Sequence, residues 1–182
     1  MQDFTRPSGR LRALPLVARA VYTVFLVFTL VGLALTLWLT HDMVGLDLSG
    51  ANEYYGGDAV PVEAAEVDGG PALVLPPDGE NLAAFDPMPR RKLLEVTHFH
   101  LFSMPVYLLI LSHIYMLSLS RKQVKALWIG AGSFGTLLHI AAPWLVAHGC
   151  AGAVAAYAVS GALMLVSYFV MSIVPLWEMW RR

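Results

Sequence analysis

The chain has 182 residues, of which 57% are hydrophobic and 14% charged, with a net charge of -1. So much apolar surface exceeds what one soluble core of this length can hide, so the bilayer is the expected solvent, and a near-neutral chain without a basic patch outside its span ends is not a nucleic-acid binder. Cys150 is the only cysteine, which excludes disulfides, cysteine-pair metal sites and covalent haem attachment through Cys-x-x-Cys-His.

An arm over residues 1–13 carries Arg6, Arg10 and Arg12. The apolar stretch 14–40 that follows is too long for the core of a secretory signal, about 7–15 residues, and no small-x-small cleavage site follows Thr40, so it reads as a retained first span. The connection 41–97 holds every acidic residue except Asp3 and Glu178, and only Arg90, Arg91 and Lys92 as basic ones. Pro76-Pro77, Pro87 and Pro89 break regular structure there. Within it, Gly50-Ala51-Asn52-Glu53-Tyr54-Tyr55-Gly56-Gly57 suits a turn that lays aromatic rings on the membrane interface. The remaining apolar stretches predict spans at 98–120, 126–148 and 151–178, separated by a turn at 121–125 and closed by an end at 179–182. Arg6 to Arg19, then Arg121, Lys122 and Lys125, then Arg181 and Arg182 fall on one side of this four-pass arrangement. By the retention of Lys and Arg in the cytoplasm, both termini are cytoplasmic and the acidic loop is periplasmic. The expected fold is all-α: an integral four-helix bundle of the bacterial inner membrane.

Histidine inside hydrocarbon is expensive and marks a candidate site. His98, His100 and His113 lie on the second span, His139 and His148 on the third, and His41 closes the first. Counted from the cytoplasmic turn at about 1.5 Å per residue, His113 and His139 differ in depth by roughly 10 Å and are poorly matched as axial ligands of one haem. They read as intramembrane polar residues, with a proton relay between them as a further possibility. His98, His100 and His148 fall near one level at the outer interface, with His41 beside them. At about 100° per residue His98 and His113 share a face, whereas His98 and His100 oppose each other, so one of that pair looks into the bundle. Gly132 and Gly135 share the face of His139, and Ala151-Gly152-Ala153 and Ser160-Gly161 repeat the small-residue pattern; such stripes suit helix packing.

Three readings follow. The first is a single b-type haem held by His148 and either His98 or His100, in a membrane cytochrome that exchanges electrons between quinol and a periplasmic c-type cytochrome docked on the acidic loop. The second is a non-catalytic subunit within a larger set of membrane subunits. The third is a copper or zinc site of His41, His98, His100 and His148 in a small transporter. No nucleophile–base pair, phosphate loop or carboxylate dyad lies in any span, so a free-standing enzyme is not expected.

The chain resembles a family of small four-span bacterial inner-membrane proteins with an external Tyr-Tyr-x-Gly turn, a Thr-His-Phe-His start to the second span and a Pro-Leu-Trp-Glu-Met-Trp end. Here these are Tyr54-Tyr55-Gly56-Gly57, Thr97 to His100 and Pro175 to Trp180. The resemblance implies a setting rich in respiratory and c-type cytochromes and supplies no catalytic residues. The second reading, an accessory subunit of an electron-transfer complex, is therefore the expectation, with the single haem as its alternative.

Overall fold

The computed structural model of the chain describes residues 11–45, 50, 51, 54, 55 and 90–181. The expectations for Arg6, Arg10, Gly56-Gly57, Arg182 and most of the acidic loop lie outside the described residues. Among the described residues four long helices follow in order: α1 (Leu16–Met43), α2 (Arg90–Met116), α3 (Lys122–Ala147) and α4 (Ala153–Trp180); residues 50, 51, 54 and 55 are also helical. Each of the four long helices is apolar enough to cross a membrane, and no strand occurs among the described residues. An all-helical fold is what a bilayer demands, because every backbone N–H and C=O in hydrocarbon needs a partner within its own segment.

α2 begins at Arg90, earlier than the span start at 98, and ends at Met116 rather than 120. Pro89 precedes the helix and has no N–H, which costs nothing ahead of a first turn whose donors lack partners anyway. Arg91 and Lys92 then reach Glu95 at 3.5 and 3.7 Å along one face, and Thr97 donates to the Leu93 carbonyl. These exposed ion pairs add little stability. The helix nonetheless runs through the basic trio, and at about 40 Å it extends beyond a hydrocarbon layer of about 30 Å. At the other end, the amides of Leu117 and Ser118 bond back to Ile114 and Tyr115 and close the helix with a tight turn.

The α3–α4 turn is a Schellman motif: the Gly149 amide donates to the Val146 carbonyl and the Cys150 amide to the Leu145 carbonyl. Gly149 takes a left-handed φ of 66°, which glycine adopts without the Cβ clash of other residues. The two helices then pack along their length through Gly132 and Gly135. A Cβ on Gly135 would stand 3.0 Å from the Met164 backbone nitrogen, and one on Gly132 would stand 3.2 Å from Met171 Cε. Thr136 donates to the Gly132 carbonyl at 2.7 Å, so its oxygen accepts from the Tyr168 hydroxyl, also at 2.7 Å. Here the small-residue stripe does serve helix packing.

α4 is the central element, packed against α1, α2 and α3. Its Tyr168 ring lies 5.3 Å from Tyr107 of α2, which lies 5.9 Å from Phe25 of α1. Leu26, Leu111, Ile114, Tyr115 and Met171 complete the core around them. One end of the bundle is tied by polar contacts: Trp180 Nε1 donates to Thr23, Arg19 sits over the Trp180 ring, Arg12 donates to the Glu178 carbonyl, and the Glu178 carboxylate accepts from the Leu119 amide at 2.8 Å. Lys125 donates to the carbonyls of Met116 and Ser118. The N-terminal arm, the α2–α3 turn and the C-terminus therefore share this end. The opposite end, where α1 and α4 part, contains the site.

Candidate functional site

The histidines take separate neighbours in the structure. His98 is exposed, its ring 5.1 Å from Phe102 and 6.3 Å from Phe99 of its own helix. His148 caps α3; it is exposed, its Nδ1 lies 2.7 Å from the Trp144 carbonyl, and its ring stacks on the Trp144 ring. Trp144 in turn donates to Thr97 of α2 at 2.7 Å. His41 and His113 are exposed. Among the described residues no hydrogen bond or ring contact joins one histidine to another, and no three His, Cys, Asp or Glu side chains converge on a point. His100 is half-buried.

His139 is the histidine that the fold surrounds. It projects from α3 toward α4, where its Nδ1 lies 3.2 Å from Ser160 Oγ. Its ring stacks on Tyr157 with centroids 5.3 Å apart and planes at 27°. Ser160 has one hydroxyl proton and donates it to the Tyr157 carbonyl at 2.7 Å. With that proton on the carbonyl, the shorter of its two contacts, the oxygen accepts from His139; the neutral imidazole is then the Nδ1–H form, with Nε2 as an acceptor. Among the described residues Nε2 has no hydrogen-bond partner.

This pair lines a cavity of about 290 Å³ between α1 and α4. The α1 wall is Leu33, Thr36, Leu37, Thr40 and Val44, which recur at helical spacing and so present one face. Thr36 turns its hydroxyl back onto the Gly32 carbonyl; the Thr40 side chain makes no hydrogen bond among the described residues. On α4 the wall includes Tyr157, Gly161 and Leu165. An added Cβ at Gly161 would meet nothing within 4 Å, so this glycine, unlike Gly132 and Gly135, faces empty space.

The segment between α1 and α2 touches the cavity at its outer rim. Ala51 lines it and is buried. The hydroxyls of Tyr55 and Tyr157 lie 3.4 Å apart, their rings 5.2 Å apart, and Tyr54 meets the Tyr55 ring edge-on. Burial, and then Tyr157, push the Tyr55 phenol above its ordinary value, so it stays protonated and able to hydrogen-bond. The aromatic pair expected to lie on the membrane interface thus packs, through Tyr55, against α4. Tyr157, Ser160 and Thr40 escape a histidine-led reading of the sequence. The available signal was Tyr157-x-x-Ser160-Gly161, three side-chain positions that a helix places on one face within an apolar span.

The arrangement is a mostly apolar cleft with one defined hydrogen-bond acceptor and, among the described residues, no charged lining side chain. No curated protein and no solved structure matches the chain. A family model described as a transmembrane helical domain, Aq_1264_TM, matches residues 45–182, covering α2, α3 and α4 in full. The chain belongs to this transmembrane helical domain family.

Proposed function

We propose that the chain is a non-catalytic accessory subunit of a respiratory or other electron-transfer complex in the bacterial inner membrane. The observation that carries this is a stripe on α2. His98, Phe102, Pro105, Leu109 and His113 are all exposed and fall within one narrow face of the helix. The two imidazoles are about 22 Å apart along the axis. Placed symmetrically in a layer of about 30 Å, both lie inside the hydrocarbon. Polar side chains there are covered by protein rather than by lipid, and among the described residues no other helix covers them. A helix of a partner subunit is the natural occupant. The family resemblance to proteins of cytochrome-rich bacteria supports the electron-transfer setting. The gathering of Arg12, Arg121, Lys122, Lys125 and Arg181 near one end supports a cytoplasmic location for that end.

The test is site-specific photocrosslinking in native membranes. A photoreactive residue at Phe102 or Leu109 is expected to join the chain to a cofactor-bearing membrane subunit, while one at Val24 or Phe28 of α1 captures lipid. Membranes lacking the chain are expected to oxidise quinol more slowly. Lipid adducts alone at all four positions with unchanged quinol oxidation, or adducts only between copies of this chain, would overturn the reading.

A further inference from the structure

We propose that the cavity between α1 and α4 binds a lipid-soluble aromatic alcohol of the hydroquinone class, whose hydroxyl donates to Nε2 of His139. This goes beyond the subunit reading and rests on none of it. The chemistry of the cleft is set by Ser160: its proton is committed to the Tyr157 carbonyl, so His139 gives Nδ1–H to Ser160 and keeps an unpaired acceptor on the other side of the ring. In a mostly apolar cleft such an acceptor gains from any donor that reaches it. Among the described residues none supplies one, and a ligand hydroxyl in the cavity would.

Four features narrow the ligand. Among the described residues no Lys or Arg lines the cavity, so a phosphate head group would meet no counter-charge from them. A plain acyl chain would leave Nε2 without a donor. The stacked rings of His139 and Tyr157 form a flat wall, and about 290 Å³ sits at the lower edge of small-ligand sites, room for one ring rather than a macrocycle. Finally Thr40, on the opposite wall, offers a hydroxyl without a side-chain partner to a second polar group, while Leu33, Leu37 and Leu165 line an apolar path for a tail. A neutral ring with hydroxyls and a hydrocarbon tail meets all four. Gly161 keeps the space open, since even an added Cβ there meets nothing within 4 Å.

The experiment uses the full chain in quinone-free nanodiscs of phosphatidylethanolamine and phosphatidylglycerol, titrated with a short-chain ubiquinol and with its oxidised quinone, against empty nanodiscs. The expected result is saturable binding of the quinol at one site per chain, about tenfold tighter than the quinone, which has no hydroxyl proton to give and so forfeits one hydrogen bond. His139→Phe keeps a flat ring and is expected to erase the preference for quinol. Gly161→Leu fills the cavity and is expected to weaken both ligands at least about tenfold while thermal stability holds; it keeps the proposal falsifiable if the histidine variant misfolds. Absence of saturable binding, quinone bound as tightly as quinol by the native chain, or wild-type binding by Gly161→Leu would overturn the proposal. These outcomes are read on the purified chain and leave the crosslinking test untouched.

Discussion

The two sides of α4 use the same kind of residue to opposite ends. Toward α3, Gly132 and Gly135 let the backbones approach until a single methyl group would strike Met164, Leu163, Ser167 or Met171. Toward α1, Gly161 sits across from Leu33 and Leu37 with nothing near its missing Cβ. Burial follows the same division: 39% of the apolar window of α4 is buried, against 11% of that of α1. In lipid there is little hydrophobic drive to push helices together, so contact is decided by close packing and hydrogen bonds. The α3–α4 seam has both along its length. The α1–α4 seam has them where Trp180, Thr23 and Arg19 meet, and it parts at the end where His139 lies. A glycine in an apolar helix thus signals either contact or vacancy, depending on what the neighbouring helix brings.

The comparison can be broken most severely at Gly135. Gly135→Leu drives a side chain into the α4 backbone and should cost about 3 kcal/mol through overpacking, seen as a marked loss of stability in a detergent unfolding titration. Unfolding like the native chain would mean that the seam is looser than the geometry states. Tyr168→Phe removes one buried hydroxyl from Thr136, which retains its bond to Gly132; a loss of about 1 kcal/mol is expected in the same titration. On the open side Gly161→Ala should do the reverse, raising stability by up to about 1 kcal/mol, because alanine is the better helix former and meets no neighbour. A destabilised Gly161→Ala would show that the side facing α1 is packed after all.

The smallest effect concerns the outer rim. Tyr157→Phe removes the hydroxyl facing Tyr55 and should loosen the segment around Ala51 by about 0.5 kcal/mol, measured as faster amide exchange there. The contact also carries a pH signature. The packed Tyr55 phenol is held above its ordinary value of 10.0, chiefly by burial, so packing favours the protonated form. The contact is at full strength below pH ~10 and weakens as pH rises beyond that value, where the undocked phenol ionises first. NMR of tyrosine labelled with 13C at Cζ, which leaves the phenol pKa unchanged, should show the Tyr55 signal of the full chain shifting only above pH ~10; a transition near neutrality would disprove the packed arrangement.

Much of the architecture is legible in the residues. Four apolar stretches of span length, separated by Pro, Gly and charged segments, leave a four-pass helical chain as the one arrangement that satisfies the backbone in lipid. The start of α2 is less legible, because Arg90, Arg91 and Lys92 read as a loop by charge. They are helical all the same: Arg and Lys are good helix formers and Arg91 and Lys92 lie within reach of Glu95, local preferences that a hydropathy reading does not weigh. The same limit applies to the candidate site. Depth along a helix ranks His98, His100 and His148 together, yet depth says nothing of direction, and the structure turns His98 and His148 onto aromatic neighbours of their own helices.

By itself the sequence determined the number of spans, their approximate positions and the concentration of acidic residues between the first two, since length, polarity and backbone satisfaction are local properties of each segment. Only the tertiary structure decided which histidine is enclosed, which of its nitrogens is left to accept, and which glycine guards a cavity. Those depend on a neighbour's identity across a helix seam: Ser160 beside His139, Met164 against Gly135, and no side chain near Gly161. Such pairings are fixed by how α1, α3 and α4 pack, and no periodicity within one helix encodes them.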